Sequence, residues 1–223
     1  VLSYEAGNPY QGVSQVLAEY LERYPESPAR QQIFEYLLDS FISAKEYAEA
    51  IRTIETMGLD SPRATQALAT ACFYLAGQKL NEGDYDSALK YYEKASRSAT
   101  DETLRARADF WLAETCLRLG MDERATEALT DFRINPAAPQ TQEYSRLPYQ
   151  QGFLAEKAGD YATAQMYFTA YQKSPNLSTE ERADLRLHLA NCLFAQGQYA
   201  QAQDLYGKVA DAGVPPSDYA TYQ

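Results

Sequence analysis

The sequence has little of what most metal-binding and redox sites need. Its 223 residues include one histidine, His188, and three cysteines, Cys72, Cys116 and Cys192, which lie far apart. The chain has no Cys-x-x-Cys pair and no Cys/His cluster, so a zinc site is not expected. We predict no metal and no cofactor, and we interpret the cysteines as small apolar residues on buried helix faces.

Basic residues and long apolar runs are also scarce. Lys and Arg number 20 against 31 Asp and Glu, which gives a formal net charge of −11. A nucleic-acid partner is not expected, because binding to phosphates needs clustered Lys and Arg. No window approaches the roughly 18 continuous apolar residues of a membrane span, so this segment is not expected to insert into a membrane.

Motifs of the common enzyme classes are missing as well. The chain contains no G-x-S-x-G, no P-loop and no dinucleotide fingerprint. The acidic pairs Asp101-Glu102 and Glu180-Glu181 stand at predicted helix starts, where carboxylates favour the helix dipole. We therefore predict that the chain is not an enzyme and has no catalytic residues.

The sequence does contain a repeated segment. Residues 83–95 read GDYDSALKYYEKA, and residues 159–171 read GDYATAQMYFTAY. A small residue three positions after the Tyr is followed, four positions on, by a large apolar or aromatic residue. The small residue recurs with steps of 37, 38, 37, 39 and 38, at Val13, Ala50, Ala88, Ala125, Ala164 and Ala202. Such regular spacing predicts a repeat architecture.

Each unit is predicted to be two helices joined by a short turn. Tyr85, Ala88, Leu89 and Tyr92 have the i, i+3, i+4, i+7 spacing of one helix face. A second pattern lies seven or eight residues before each turn, at Leu75-Ala76, Leu112-Ala113, Gln151-Gly152 and Leu189-Ala190. Prolines separate the units, and strand signals are absent, so we expect an all-α fold.

The pattern resembles that of the tetratricopeptide repeat (TPR) family, whose unit is a helix–turn–helix of about 34 residues. The resemblance implies an all-α, right-handed α-α superhelical solenoid of stacked TPR helix hairpins. Ala88 and its equivalents would be small because the two helices of a hairpin cross closely there. Tyr92, Phe168 and Tyr206 would fill the space between hairpins.

We expect one solenoid domain over 1–223, and both ends lack a polar cap, so we expect a slice of a longer array. The predicted units are a partial repeat at 1–30, complete repeats at 31–64, 69–102, 106–139, 145–178 and 183–216, and the start of a further helix at 217–223. ADFWLAE at 108–114 and AEYLERYPESP at 18–28 look like the longer TPR units of bacterial cell-envelope proteins. That likeness favours the periplasm or an outer-membrane-associated location, and a cytoplasmic location stays open.

The first helices of TPR hairpins line a concave face, and the resemblance implies that this face binds a protein or peptide. The candidate residues on it are Tyr36, Phe73, Tyr74, Phe110, Trp111, Glu114, Tyr149, Gln150, Phe153, His188 and Asn191. The alternative is that these aromatics fill the core between repeats, and this applies most to Phe73 and Phe110.

The ligand class follows from charge. Some TPR proteins hold a terminal carboxylate with Lys, Asn and Arg, but the matching positions here are Glu35, Phe73, Phe110, Tyr149 and Leu187. An apolar or basic ligand fits the net charge of −11 better than an acidic one. Two other functions stay open. One is a purely architectural spacer in a larger cell-envelope assembly, and the other is an enzyme with no recognisable motif, glycan-related or hydrolytic, for which no paired carboxylates stand out.

The predicted helix crossing can be tested at Ala88. Ala88→Leu should overpack its hairpin and lower the free energy of unfolding by roughly 1–3 kcal/mol, measured by urea denaturation. A variant as stable as the wild type would contradict the assignment of Ala88 to the crossing.

Overall fold

The computed structural model describes residues 12–58, 61–175 and 177–213. Over these ranges the chain forms eleven α-helices and no strand, which confirms the predicted all-α class. The helices are α1 (Val13–Arg23), α2 (Arg30–Ala44), α3 (Tyr47–Met57), α4 (Pro62–Glu82), α5 (Tyr85–Ser98), α6 (Glu102–Arg118), α7 (Asp122–Ile134), α8 (Leu147–Lys157), α9 (Tyr161–Tyr171), α10 (Thr179–Ala195) and α11 (Tyr199–Ala210). The predicted helix start at 217–223 and the first part of the 1–30 repeat lie outside the described residues.

The chain divides into two compact units, and the boundary lies between Thr141 and Gln142. Unit 1 contains α1 to α7 and a single 3-10 turn, Ala138–Gln140. Unit 2 contains α8 to α11, preceded by a 3-10 turn at Gln142–Arg146. None of the helices in the described ranges combines the length and the apolar character that a membrane crossing requires.

The Gly-Asp-Tyr motif makes the turn inside a hairpin, and each of its residues has a separate task. Gly83 ends α4 with a φ of +80°, a left-handed conformation that favours glycine. The carboxylate of Asp84 then caps α5 by accepting a 3.2 Å hydrogen bond from the amide of Ser87. Asp160 repeats this with Thr163 at 3.1 Å. Tyr85 is the first residue of the second helix.

The equivalent turn between α2 and α3 has no glycine. Lys45 ends α2 with a φ of +62°, the one non-glycine residue with positive φ in the described ranges. The amide of Glu46 still donates to the carbonyl of Phe41 at 2.8 Å. The repeat geometry therefore imposes a left-handed conformation on this lysine, which fixes the direction in which its backbone leaves α2.

The first helices begin earlier than the predicted repeat starts at 69 and 106. Ser61 caps α4 by accepting from the amide of Ala64, and Pro62 follows at the first helical position. Asp101 caps α6 in the same way, and Ser178 with Glu181 forms a capping box at α10. The residues in excess of a repeat of about 34 residues therefore lengthen α4, α6 and α10, which have 21, 17 and 17 residues, whereas α8 has 11.

Small residues lie where the helices of a hairpin meet. Ala76 on α4 and Ala88 on α5 are both fully buried, as are Ala113 with Ala125 and Ala190 with Ala202 at 1% or less. Ala76 and Ala88 belong to one hydrophobic core of unit 1 that runs from Leu21 to Ala108. The cysteines are buried as predicted, and burial raises the pKa of Cys72 and Cys192 to about 12.

Gly152 is the small residue of the α8–α9 hairpin, and it lies directly under Phe168. A Cβ added at Gly152 would stand 2.7 Å from Cε1 of Phe168. Phe168 is fully buried, and its ring also stacks on His188 of α10, with centroids 5.1 Å apart. Phe168 thus fills the space between hairpins, as predicted, and it can do so because position 152 has no side chain.

A matched pair of glycine substitutions tests this contact. Gly152→Ala should lower the free energy of unfolding by about 1 kcal/mol, because overpacking against Phe168 outweighs the gain in helix propensity. Gly77→Ala, whose Cβ would lie 3.6 Å from the Tyr92 hydroxyl, should instead stabilise α4 by up to about 1 kcal/mol. Urea denaturation followed by circular dichroism measures both, and the reverse order of stability would contradict the account.

Candidate functional site

Unit 1 contains a cavity of about 570 Å³ along the second half of α4. Three of the predicted site residues, Phe73, Tyr74 and Trp111, line it together. The remaining lining residues are Lys45, Tyr47, Gly77, Gln78, Leu80, Asn81, Tyr92 and Arg107. The cavity is therefore formed by α4 and α6, with contributions from the start of α3, the α2–α3 turn and α5.

Aromatic rings form most of the apolar wall of the cavity. Tyr74 is 44% exposed and stacks on Tyr47, with ring centroids 5.3 Å apart and planes 18° apart. Phe73 meets Tyr92 edge to face at 5.8 Å. Trp111 is partly exposed on the facing helix α6. Because Tyr47 and Tyr92 hold two of these rings in place, the wall is preformed.

The polar part of the lining is cationic or neutral. The guanidinium of Arg107 lies over the Phe73 ring, 4.8 Å from its centroid. Lys45, Gln78 and Asn81 are exposed at the edge of the cavity. No Asp or Glu is among the lining residues.

Several predicted site residues in unit 1 lie elsewhere. Phe110 is fully buried and packs against Phe132 at 5.3 Å, so its assignment to a binding face was wrong. Phe73 is only 5% exposed and belongs mainly to the core. Tyr36 is 51% exposed on α2 but does not line the cavity. Glu114 forms an ion pair with Arg118, with Nη2 and Oε1 2.9 Å apart.

Unit 2 brings Tyr149, Phe153, His188 and Asn191 together, but around an internal polar network. His188 Nδ1 and Glu156 Oε2 are 2.5 Å apart, and Asn191 donates to the other Glu156 oxygen at 3.3 Å. Tyr149 donates to Asp184 at 2.5 Å, and its hydroxyl is 3.4 Å from His188 Nε2. Tyr206 of α11 donates to Asn191 at 2.8 Å. The network thus connects α8, α10 and α11.

His188 is enclosed by rings as well as by carboxylates. Phe168 stacks on it, and Phe153 meets it edge to face at 5.7 Å. Burial lowers the pKa of His188, but the hydrogen bond to Glu156 and the charges of Glu156 and Asp184 outweigh burial and raise the pKa above 6.5. The network therefore stabilises the charged form of the imidazole relative to its neutral form.

The polar groups of the predicted site in unit 2 bond to each other rather than presenting a ligand surface. Gln150 is 2% exposed, so its assignment to a binding face was wrong. Glu156 and Asp184 were not among the predicted site residues, and Tyr206 was predicted only to fill the space between hairpins. A sequence signal existed for the two acids, because Asp184 lies one helical turn before His188 and Glu156 lies one turn after Phe153.

A second, smaller cavity of about 340 Å³ lies among α5, α6 and α7 of unit 1. Glu93 and Arg124 form an ion pair at its edge. Asp109 is 5% exposed and accepts a 2.5 Å hydrogen bond from Ser96. Burial raises the pKa of Asp109 to about 6, the Ser96 bond opposes this, and Asp131 adds to it. Within the described ranges no group of His, Cys, Asp and Glu side chains is arranged to hold a metal ion.

Comparison with sequence families gave two matches, both to models of the tetratricopeptide repeat. One model matches residues 78–139 and the other residues 155–221. The two ranges together span more than half of the chain. A search of curated protein sequences gave no significant match.

Solved structures similar to this chain include two that align over nearly its whole length. YrrB, described as a TPR protein with an unusual peptide-binding site, aligns with a TM-score of 0.60 and 15% identity over 94% of this chain and 97% of its own. BtubC from P. vanneervenii aligns with a TM-score of 0.57 and 18% identity, over 93% and 92% of the two chains. At these sequence identities, the alignments show that this chain shares the fold of the two proteins.

The raised pKa of His188 gives a pH prediction with a definite sign. The folded state binds this proton more tightly than the unfolded state, so its contribution to stability is complete below about pH 6.5 and is lost as the pH rises through the folded pKa. The difference in unfolding free energy between wild type and His188→Gln should therefore shrink from pH 6 to pH 8.

Urea denaturation of both proteins across this pH range measures the difference. Asp109 titrates in both proteins, so its own pH dependence cancels in the comparison. A difference that does not change with pH would show that His188 is not selectively stabilised as a cation.

Proposed function

The chain belongs to the tetratricopeptide repeat family, and from this premise we propose that it is a non-catalytic scaffold that binds a protein or peptide segment through the unit 1 cavity. The observation that carries the proposal is the meeting of Tyr74 and Trp111 in one cavity of about 570 Å³. This volume is in the range of ligand-binding pockets, roughly 300–1,000 Å³. It can accept one or two large side chains of a bound segment.

The character of the walls supports a peptide rather than a small metabolite. Tyr and Trp are the residue types that most often dominate the binding energy of protein interfaces. The exposed amides of Gln78 and Asn81 supply donors and acceptors for a peptide backbone. The apolar ligand expected from the sequence fits these walls, and the lining includes no acid that would favour a basic ligand.

One structural neighbour supports the same class of function. YrrB is described as having a peptide-binding site, and its fold aligns with 94% of this chain. The identity of 15% means that its contact residues cannot be transferred to particular positions here. Its value is to make peptide binding a reasonable hypothesis for an array of this size.

An architectural role is a second candidate, and unit 2 favours it. The side chains of Tyr149, His188 and Asn191 bond to Asp184, Glu156 and Tyr206 within the unit. These contacts hold neighbouring hairpins together. We therefore propose that unit 2 acts as a spacer or support, while unit 1 contacts the partner.

We also retain the bacterial cell envelope as a proposed setting. The short strings at 18–28 and 108–114, which look like envelope-type TPR units, support this setting.

Intrinsic fluorescence tests the binding proposal, because Trp111 is the one tryptophan in the chain. Peptides selected on the wild-type protein from a displayed library should shift or quench its emission on titration. Tyr74→Ala should weaken their binding by about tenfold or more, as expected for an aromatic contact residue.

Tyr199→Ala is the matched control, since Tyr199 is an exposed aromatic residue of unit 2. It should leave the affinity unchanged. Two results together would favour the spacer function for unit 1 as well. The first is that no selected peptide changes the fluorescence of Trp111. The second is that Trp111→Ala lowers the free energy of unfolding by several kcal/mol, as substitutions of core aromatics do.

A further inference from the structure

The smaller cavity of unit 1, which we call the α5–α7 cavity, is separate from the cavity that Trp111 lines. Helix α6 contributes Asp109, Leu112 and Cys116 to it, at the i, i+3 and i+7 positions of one helix face. The two cavities have no lining residue in common. The α5–α7 cavity can therefore have a ligand of its own.

Asp109 places a carboxylate in the wall of this cavity. The residue is 5% exposed, and its Oδ1 accepts a 2.5 Å hydrogen bond from the hydroxyl of Ser96. Its Oδ2 accepts no hydrogen bond from the residues that the structure describes. An ionised carboxylate that is buried with one oxygen unbonded has lost hydration without full compensation. A cation that reaches Oδ2 from the cavity would supply that compensation.

The other charges of the lining leave an excess of acid. Four acids and two arginines line the cavity. Glu93 and Arg124 pair with each other, so together they add little net charge. Glu127 and Asp131 are exposed on α7 and form no ion pair within the described part of the chain. The one remaining cation of the lining, Arg97, is exposed to solvent at the end of α5.

The titration of Asp109 agrees with this charge balance. Burial raises the pKa of Asp109 to about 6, and the hydrogen bond from Ser96 opposes the rise. The negative charges of Asp131 and Glu102 add to it, and Arg105 opposes it. A cation next to Asp109 and Asp131 would relieve their repulsion and stabilise both carboxylates.

We propose that the α5–α7 cavity binds a primary ammonium group, which Asp109, Glu127 and Asp131 hold through their carboxylates. The partner expected is a protein segment that inserts a lysine side chain. The basic ligand that the net charge of −11 favours thus finds a place outside the aromatic cavity.

An ammonium group fits this site better than a guanidinium group or a metal ion. Arginine binds a carboxylate best when both oxygens accept in parallel, but Oδ1 of Asp109 already accepts from Ser96. An ammonium group has three donors that point in different directions and needs one oxygen from each carboxylate. Among the described side chains no group of His, Cys, Asp and Glu is arranged to hold a metal ion.

The size and the remaining walls suit a lysine side chain. A volume of about 340 Å³ is near the lower end of the range for ligand pockets, roughly 300–1,000 Å³. Leu112, Cys116 and Ala128 supply apolar surface for the methylene groups of the lysine stem.

Binding can be measured by heteronuclear NMR of the 15N-labelled protein at low salt. The probes are acetyl-lysine amide, acetyl-arginine amide and acetyl-norleucine amide, which differ at the end of the side chain. The lysine probe should shift backbone amides of α5, α6 and α7 and bind about tenfold or more tightly than the norleucine probe. The arginine probe should bind about threefold more weakly than the lysine probe, and about 0.5 M salt should weaken both.

A free diamine presents the same ammonium group as a lysine side chain, so 1,5-diaminopentane separates the two sources. Weaker binding of this diamine than of the lysine probe assigns the site to a lysine of a protein partner. Tighter binding assigns it to a free diamine. Both results support an ammonium site.

A matched pair of substitutions on α7 tests the ligand set. Glu127→Gln should weaken binding of the lysine probe by about threefold, because it removes one of the three carboxylates. Glu123→Gln makes the same change one helical turn earlier, at an exposed position that does not line the cavity, and it should leave the affinity unchanged.

Asp109→Asn tests the buried carboxylate and keeps an oxygen that can accept from Ser96. It should reduce the affinity for the lysine probe by about tenfold, with folding checked by circular dichroism. In the wild type the affinity should rise about fivefold from pH 5 to pH 7, as Asp109 loses its proton. This rise should be absent in Asp109→Asn.

Three results would each overturn the proposal. They are equal affinities for the lysine and norleucine probes, shifts that lie outside α5 to α7, and equal losses in Glu127→Gln and Glu123→Gln. Peptide binding at the aromatic cavity is judged separately, because Tyr74→Ala should leave the affinity for the lysine probe unchanged.

Discussion

The close approach of two helices at small residues is the contact on which the rest of the structure depends. Ala76 of α4 and Ala88 of α5 are both fully buried in their hairpin. In the α8–α9 hairpin, Gly152 lies directly against the ring of Phe168. A hairpin that packs at this distance buries its apolar stripe only partly, and the next hairpin covers the remainder. Large aromatic residues then fill the space left beside the small ones, as Phe168 does in the buried cluster that it shares with Tyr171, Leu185 and Leu189.

The helix α4, with 21 residues, forms one wall of the unit 1 cavity along its second half. There Tyr74 is half exposed and lines, together with Trp111, a cavity of about 570 Å³. In unit 2 the comparable positions hold Tyr149 and His188, whose polar atoms bond to Asp184 and Glu156. One repeat geometry thus produces an open aromatic surface in unit 1 and a closed polar network in unit 2.

The charged residues also differ between the unit 1 cavity and the unit 2 polar network. Arg107 and Lys45 give the unit 1 cavity a positive lining in a chain of net charge −11. In unit 2 the carboxylates of Glu156 and Asp184 face His188 and raise its pKa, which stabilises the charged form of the imidazole.

The sequence by itself determined the helix–turn–helix repeat, because glycine at the turn, a small residue at the crossing and an apolar stripe of period 3.6 each have a direct local cause. It also placed Tyr74 and Trp111 on one face. It did not determine that Phe110 and Gln150 are buried, because a shift of one residue in helix rotation exchanges core and surface. Tertiary structure alone decided that Lys45, Tyr47 and Arg107 line the unit 1 cavity and that Glu156 bonds to His188. These contacts join different helices whose residues lie far apart in the sequence, and no local pattern encodes the distance between them.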